Sequence, residues 1–248
     1  MFSIVTDTGA NLTAEEVRQW DVTVLPMQTD GESTAQVNPF LCEATLRELA
    51  QKGDVLCVCL SGALSGTCRA VQMAASNIES PHTVRVLDSQ SAACGQGMLV
   101  HLAVLARERG ADLEKAAQLV QDKAPQVCHL FLAGEEKNTA RSGRFGEAVA
   151  PSTVLMLDSA GKILPCRKSA DRKTALRYIA QMYRRTVLPI GKGVCIAHAD
   201  CPQEAAYLAG QIGENVRITR LNEVFTCHTG KGAVALFYPG TLRTHPPV

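Results

Sequence analysis

The chain has 248 residues, of which 46% are hydrophobic, so it predicts one large domain or two smaller ones with buried cores and excludes a disordered chain. Lysine and arginine total 25 against 24 acidic residues, and only 4% of residues are aromatic, which excludes nucleic-acid binding by a basic field or by base stacking. No apolar run reaches about 18 residues and no signal peptide precedes the first strand, so we expect a cytoplasmic protein without membrane insertion.

The first half of the chain alternates strand-like and helix-like segments. Short apolar runs predict strands at residues 2–5, 22–27, 55–60 and 84–87. Helical periodicity predicts helices at residues 14–20, 41–51, 64–76 and 91–109. Strands that alternate with helices form parallel sheets with helices on both faces. The sequence therefore predicts a three-layer, parallel-sheet α/β domain over residues 1–124.

After Pro125 the pattern changes to hairpins mixed with helices. Strands are predicted at residues 127–132, 154–157, 162–166, 194–197, 216–220 and 233–238. Helices are predicted at residues 172–183 and 202–212. Residues 158–161 read DSAG, which is typical of a four-residue hairpin loop. This mixture predicts a second domain, a mixed-sheet α/β domain, over residues 125–248.

Ten cysteines are spread through the apolar segments, and no two form a C-x-x-C pair. A zinc ribbon and a dithiol redox motif are therefore not predicted. Cys57 and Cys59 alternate as they would on one face of a strand. A metal pair is one interpretation, but buried free thiols that pack as small hydrophobic side chains are favoured. We predict no metal and no cofactor.

Small hydroxyl and acidic residues follow three strands of the first half. The first strand runs into TDTG at residues 6–9, the third into SGALSGT at residues 61–67, and the fourth into Asp88. The carboxyl ends of parallel strands share one edge of the sheet, where ligands bind. The helices that follow add unpaired N–H donors and a partial positive charge. These loops are therefore expected to form one polar edge.

The serine-rich loop carries the strongest candidates at this edge. Ser61, Ser65 and Thr67 precede a helix and suit an anionic or carbonyl oxygen, while the glycines between them permit close approach of a ligand. Helix capping is the competing interpretation for Asp7, Ser65 and Asp88. The composition alone does not decide between the two interpretations.

Two further clusters lie in the second half. Residues 227–233 read CHTGKGA, where His228 and Thr229 precede a glycine-rich turn and are candidates for the edge of a pocket. Residues 141–144 read RSGR and end in Arg144, a candidate partner for an anion. A structural histidine and a solvated arginine are the competing interpretations.

Several enzyme templates are absent from the sequence. It contains no P-loop, no H-E-x-x-H motif and no G-x-S-x-G elbow, because GALSG at residues 62–66 places its serine one position late. Ser61, His228 and either Asp7 or Asp88 could form a nucleophile, a base and an orienting acid, but their spacing does not require it. A serine-dependent hydrolase or transferase and a binding protein for a polar metabolite stay open as alternatives.

Five short motifs occur in the order seen in DegV-family proteins, from the first strand to about Tyr238. They are TDT at residues 6–8, LSGALSGT at 60–67, LDSQSA at 87–92, RSGR at 141–144 and HTGKGA at 228–233. The chain therefore resembles the DegV family. The resemblance implies two α/β domains that enclose a fatty-acid chain in an apolar tunnel and hold its carboxylate at the cleft. It also implies a carrier rather than an enzyme, which presents the acid to a separate fatty acid kinase.

Carried over to this chain, the resemblance implies fatty-acid-binding residues and no catalytic ones. These residues are Thr34, Ser61, Gly62, Ser65, Thr67, Arg144, His228 and Thr229. The chain also departs from the family pattern: Gly62 and Ala35 stand where serines are common, Lys231 stands where proline is frequent, and the segment between Gly146 and Val154 is several residues shorter than usual.

Overall fold

The protein is described by a computed structural model at residues 1–30, 33–134, 152–189, 193–213 and 215–243. The chain forms two compact units, the first of Met1–Asp30 and Thr34–Ala124 and the second beginning at Pro125. Across these described ranges, no helix has the length and apolar character needed to cross a membrane.

The first unit is a parallel sheet with helices on both faces. Its strands are β1 (Ser3–Asp7), β2 (Val22–Leu25), β3 (Gln28–Thr29), β4 (Thr34–Ala35), β5 (Val55–Cys59) and β6 (Val84–Asp88). Its helices are α1 (Ala14–Gln19), α2 (Pro39–Ala50), α3 (Thr67–Ser76), α4 (Cys94–Glu108) and α5 (Leu113–Lys123). Four strands form the parallel sheet in the order β2-β1-β5-β6, and β3 pairs with β4 in a small antiparallel ribbon.

Burial on both faces explains the continuous apolar run of β5. All five of its residues are buried, including Cys57 and Cys59. Helices α2 and α3 pack against each other and against β5, and α4 contacts β1 and β5. The predicted parallel α/β architecture is therefore confirmed, and the two cysteines are free, buried thiols.

Helix α5 was not predicted from the sequence. Asp112 begins it by accepting a hydrogen bond from the Lys115 N–H at 2.9 Å. Its buried residues are Leu113, Ala116, Ala117 and Val120. They follow the i, i+3, i+4, i+7 spacing of an amphipathic helix, so the signal is present in the sequence and was missed.

The second unit is built on a mixed six-stranded sheet. Its strands are β7 (Val127–Leu132), β8 (Thr153–Leu157), β9 (Ile163–Lys168), β10 (Val194–His198), β11 (Val216–Arg220) and β12 (Val234–Pro239). Its helices are α6 (Arg172–Thr186), α7 (Pro202–Ile212) and α8 (Glu223–Thr229). The strand order is β11-β10-β12-β7-β8-β9, and only β10 and β11 are parallel among these pairs. The predicted mixed sheet is confirmed.

The predicted hairpin of the second unit is also confirmed. Strands β8 and β9 are antiparallel, and Asp158 Oδ1 accepts hydrogen bonds from the N–H groups of Ala160 and Lys162, both at 2.9 Å. Gly161 has a φ of 75°, in the left-handed region that favours glycine. On the sheet, Ile179 of α6 and Leu208 of α7 belong to the buried core.

Candidate functional site

Three loops meet at the carboxyl edge of the first unit's sheet. We call residues 60–67, which follow β5, the serine loop. The Leu60 N–H donates to Asp7 Oδ2 at 2.8 Å, which ties the loop to the end of β1. The Ser61 N–H donates to the Ser91 carbonyl oxygen at 2.9 Å, which ties it to the segment after β6. The polar strand ends are therefore joined by hydrogen bonds within this unit.

The serine loop folds back on itself before α3 begins. The Ser61 carbonyl oxygen accepts hydrogen bonds from the N–H groups of Leu64 and Ser65, at 2.9 and 3.1 Å. Ser65 Oγ accepts the Thr67 N–H at 3.2 Å and lies 3.0 Å from Thr67 Oγ1. These turns delay α3 to Thr67, whereas the sequence predicted a helix from residue 64. Gly66 is the cap residue of α3, and Ser65 binds the N–H of Thr67, the first residue of that helix. The hydroxyl groups of Ser65 and Thr67 are both buried.

The two glycines of the serine loop allow neighbouring side chains to approach its backbone. The Gly62 N–H donates to Asp88 Oδ2 at 3.1 Å, and a Cβ at Gly62 would lie 2.8 Å from that oxygen. A Cβ at Gly66 would overlap Oε1 of Gln36. The segment that contains Thr34 and Gln36 therefore reaches the serine loop, as expected if both contribute to one site.

Restoring the serine that the family commonly has at position 62 is expected to destabilise this chain. In Gly62→Ser the new Cβ pushes the Asp88 carboxylate away and breaks its hydrogen bond with the residue-62 N–H. We expect Gly62→Ser to be about 1–2 kcal/mol less stable in urea unfolding than the control Gly210→Ser, whose Cβ meets nothing within 4 Å. Equal stability of the two variants would show that Asp88 does not restrict position 62.

Asp7 is a buried carboxyl group at the end of β1. Its Oδ1 accepts the Gly9 N–H and its Oδ2 accepts the Leu60 N–H, both at 2.8 Å. Burial raises the pKa of Asp7 to about 6, although the hydrogen bonds that the backbone N–H groups of Leu60 and Gly9 donate to it act to lower it. Asp7 also caps the short 3-10 helix Thr8–Ala10, so the capping interpretation holds for this residue.

The segment after β6 is a turn rather than the start of a helix. Asp88 Oδ1 accepts the Gln90 N–H at 2.8 Å, which closes this turn and does not cap a helix, because the cap residue of α4 is Ala93. Ser89 Oγ accepts the Ser91 N–H at 3.1 Å. Gln90 and Ala93 have φ values of 50° and 49°, which residues other than glycine rarely adopt. Because of this turn, α4 begins at Cys94, three residues after the predicted start. The backbone strain of Gln90 and Ala93 lies beside the candidate site.

In the second unit, His228 and Thr229 form the last turn of α8. His228 is half-buried, and Thr229 Oγ1 donates to the Phe225 carbonyl oxygen at 3.0 Å. The Thr229 carbonyl oxygen accepts the Gly134 N–H at 2.7 Å, which ties α8 to the end of β7. Arg144 lies outside the described residues. In the first unit the structure places Ser61, Gly62, Ser65 and Thr67 on one loop, which Gln36 of the Thr34 segment reaches. In the second unit it places His228 and Thr229 on one helix.

Arg172, the first residue of α6, makes contacts in the second unit that were not predicted from the sequence. Its guanidinium donates to both carboxylate oxygens of Glu204, with Nη2 2.6 Å from Oε2, and its Nη1 donates to the Ala133 carbonyl oxygen at 2.7 Å. It also donates to the Gly232 carbonyl oxygen. Arg172 thus joins Ala133, directly after β7, to Gly232, in the loop between α8 and β12. A cation in the first turn of a helix is unfavourable with the helix dipole, so Arg172 at this position was the one sign in the sequence that its side chain has other partners.

The fold and its polar edge define a class: a two-unit α/β protein in which polar loops meet at the carboxyl ends of the strands of the first sheet. The family model described as an uncharacterised protein of the DegV family matches residues 27–240. The chain belongs to the DegV family, as the motif order predicted.

Relatives and solved structures agree with this membership. A DegV domain-containing protein of Clostridium perfringens is 28% identical over 228 residues, which cover 85% of this chain and 78% of that relative. The crystal structure of a fatty acid binding DegV family protein from Streptococcus agalactiae has a TM-score of 0.85 at 20% identity and covers 96% of this chain and 99% of its own. That of DegV, a fatty acid binding protein from Bacillus subtilis, has a TM-score of 0.85 at 19% identity and covers 96% and 98%. Both structures are described as those of fatty-acid-binding proteins.

Proposed function

We propose that this protein binds a long-chain fatty acid and that the serine loop holds its carboxylate. The observation that carries the proposal is the meeting of Gln36, the serine loop and the Ser91 segment at one edge of the first sheet. Hydroxyl and N–H groups are the donors that a carboxylate requires. The two fatty-acid-binding relatives from Streptococcus agalactiae and Bacillus subtilis share the fold, which supports the same class of ligand here.

Affinity in this proposal comes from the acyl chain, and the head group fixes its position. A tail of about 14 methylenes supplies roughly 11 kcal/mol on burial, before the cost of association, at about 0.8 kcal/mol each. A hydrogen bond to the charged carboxylate contributes about 1.5–3 kcal/mol. Changes in the serine loop should therefore alter how the carboxylate is presented more than they alter binding of the tail.

The proposed head-group contacts follow the family pattern and the polar edge. They are Thr34, Ser61, Gly62, Ser65 and Thr67 in the first unit and Arg144, His228 and Thr229 in the rest of the chain. We further propose that the protein is a cytoplasmic carrier that presents the bound carboxylate to a fatty acid kinase. The kinase, and not this chain, would then form the acyl phosphate.

Mass spectrometry of the purified protein under non-denaturing conditions tests ligand binding. We expect a copurifying acid of about 14–18 carbons, or its uptake when palmitate is added to delipidated protein. A protein that is empty and also refuses palmitate would rule out the carrier function. Labelling of Ser61 or Ser65 by a serine-reactive phosphonate would instead support the hydrolase or transferase alternative.

Ser61→Ala tests the positioning role of the loop. We expect it to lower kinase-coupled acyl-phosphate formation about tenfold, because one hydrogen bond to the carboxylate is lost, and to change palmitate affinity less. Ser76→Ala is the matched control, since the Ser76 hydroxyl donates to the Met73 carbonyl oxygen on exposed α3 surface and should affect neither quantity. Equal losses of affinity and of acyl-phosphate formation in Ser61→Ala would contradict the positioning role.

A further inference from the structure

A buried amide oxygen lies beside the buried Asp7 carboxyl group. Gln96, in the first turn of α4, is fully buried, and its Oε1 has no hydrogen-bond partner among the described residues. The position that a Cβ would take at Gly9 lies 2.6 Å from Asp7 Oδ1 and 3.0 Å from Gln96 Oε1, so the two side chains converge there. Two oxygen atoms that share a buried space need a proton between them.

The orientation of the Gln96 amide follows from its other contacts. Nε2 donates to Thr6 Oγ1 at 3.0 Å and to the Val58 carbonyl oxygen at 3.2 Å, which uses both of its hydrogens. The Thr6 hydroxyl itself donates to the Val58 carbonyl oxygen at 2.7 Å. Rotating the amide would place Oε1 against that carbonyl oxygen with no hydrogen between them. Oε1 therefore faces Asp7.

We infer that in mildly acidic solution Asp7 holds a proton and donates it to Gln96 Oε1, and that this acid–amide pair then positions the serine loop. The pair joins three elements: Asp7 at the end of β1, Gln96 at the start of α4, and Leu60, whose N–H donates to the same carboxyl group directly before Ser61. A protonated carboxyl oxygen can donate to Gln96 and still accept from a backbone N–H. Asp7 is thus a positioning residue for the loop.

The surroundings of Asp7 favour its neutral form. Burial is the largest influence on its pKa, and no charged side chain contributes to the shift. Strand β2 reads VTVL and carries no titratable group. The thiols nearby are Cys59 on β5 and Cys94 at the start of α4, and a hydrogen bond with Cys68 together with burial raises the pKa of Cys59 well above its usual value. With a pKa of about 6, Asp7 holds its proton in mildly acidic solution.

An NMR titration of the aspartate carboxyl carbons distinguishes the two possible roles of Gln96, with Asp7→Asn used to assign the resonance. We expect a midpoint near pH 6 for Asp7, and a lower midpoint in Gln96→Met, which keeps the burial but removes the acceptor of the proton. If instead the amide N–H donates to a carboxylate, Gln96→Met would raise the midpoint, and the inference would be wrong. Gln118→Met, on the exposed side of α5, is the matched control and should leave the midpoint unchanged.

The wild-type chain alone provides a second measurement. The backbone N–H groups of Gly9 and Leu60 both donate to Asp7, so their chemical shifts should titrate with the same midpoint near pH 6. A midpoint near the ordinary value of 3.8 would overturn the inference without any variant. Because the pKa is higher in the folded chain, the stabilisation is full below about pH 4 and is lost as the pH rises through 6. The wild type should therefore lose stability relative to Asp7→Asn across this range.

Hydrogen exchange tests the positioning role without a ligand. At about pH 5, where a pKa of about 6 leaves Asp7 mainly protonated, the N–H groups of Leu60 and Ser61 should exchange faster in Gln96→Met than in Gln118→Met. Equal rates would remove the positioning role. The effect on palmitate rests on the proposed function: we expect Gln96→Met to weaken palmitate binding about fivefold, or about 1 kcal/mol. A wild type that binds no palmitate would refute the proposed function, while the titration and the exchange rates still decide the inference.

Discussion

Replacing Arg172 with methionine is expected to lower the free energy of unfolding by about 2–3 kcal/mol, since it breaks a partly buried ion pair and leaves one partner behind. The Arg172 side chain is only 13% exposed, and Glu204 is 31% exposed. Methionine keeps much of the apolar stem but leaves the Glu204 carboxylate and the Ala133 and Gly232 carbonyl oxygens without their common donor. Urea unfolding followed by circular dichroism measures the loss.

Arg220→Met provides the matched control for Arg172→Met. Arg220 forms an ion pair with Asp200 in the same unit, but its side chain is 73% exposed and that of Asp200 is 44% exposed. Surface ion pairs contribute about 0–1 kcal/mol, so Arg220→Met should be close to the wild type. A loss in Arg172→Met no larger than that in Arg220→Met would show that the Arg172 contacts do not stabilise the second unit.

Gly134→Ala is expected to destabilise the second unit by about 3 kcal/mol or more, because the added methyl group meets the backbone of the loop between α8 and β12. A Cβ at this position would overlap the Lys231 carbonyl oxygen and lie 2.8 Å from the Gly230 carbonyl carbon. Neither atom can rotate away as a side chain could. The hydrogen bond from the Gly134 N–H to the Thr229 carbonyl oxygen would be lost with the displacement.

The control for Gly134→Ala is Gly210→Ala on α7, where the new methyl group meets nothing within 4 Å. Alanine favours helix over glycine, so Gly210→Ala should stabilise the protein by up to about 1 kcal/mol. Thermal unfolding of the two variants compares the same chemical change in crowded and in open surroundings. Similar melting temperatures would show that the loop between α8 and β12 can move away from residue 134 with little loss of stability.

Local patterns were sufficient to predict most of the fold. Strand β7 occupies the predicted residues, because a short apolar run between Pro125 and a glycine has one plausible structure. The starts of α3 and α4 were placed three residues early, since the turns that precede them depend on contacts with other loops. Helix α8 was not predicted either: seven residues are too few for a clear helical period, and Asn222 is its main local signal as the cap.

The candidate site could be predicted only where its residues follow a strand. Ser61, Ser65 and Asp88 were correctly placed at one polar edge, because the carboxyl ends of parallel strands share an edge whatever else the chain does. Gln96 and Arg172 act through partners 38 and 32 residues away or more, and nothing in their own surroundings along the chain indicates those partners. Contacts of this kind arise from tertiary packing, so they are visible in the structure and not in the sequence.

The placement of the aromatic side chains separates the two units optically. Trp20, the only tryptophan, stacks on His101 in the first unit with ring centroids 4.4 Å apart, whereas the four tyrosines all lie in the second unit. Emission excited at the red edge of indole absorption therefore monitors the first unit alone, while phenol absorbance follows the second. A single unlabelled sample can thus show whether the two halves of the chain melt together or one after the other.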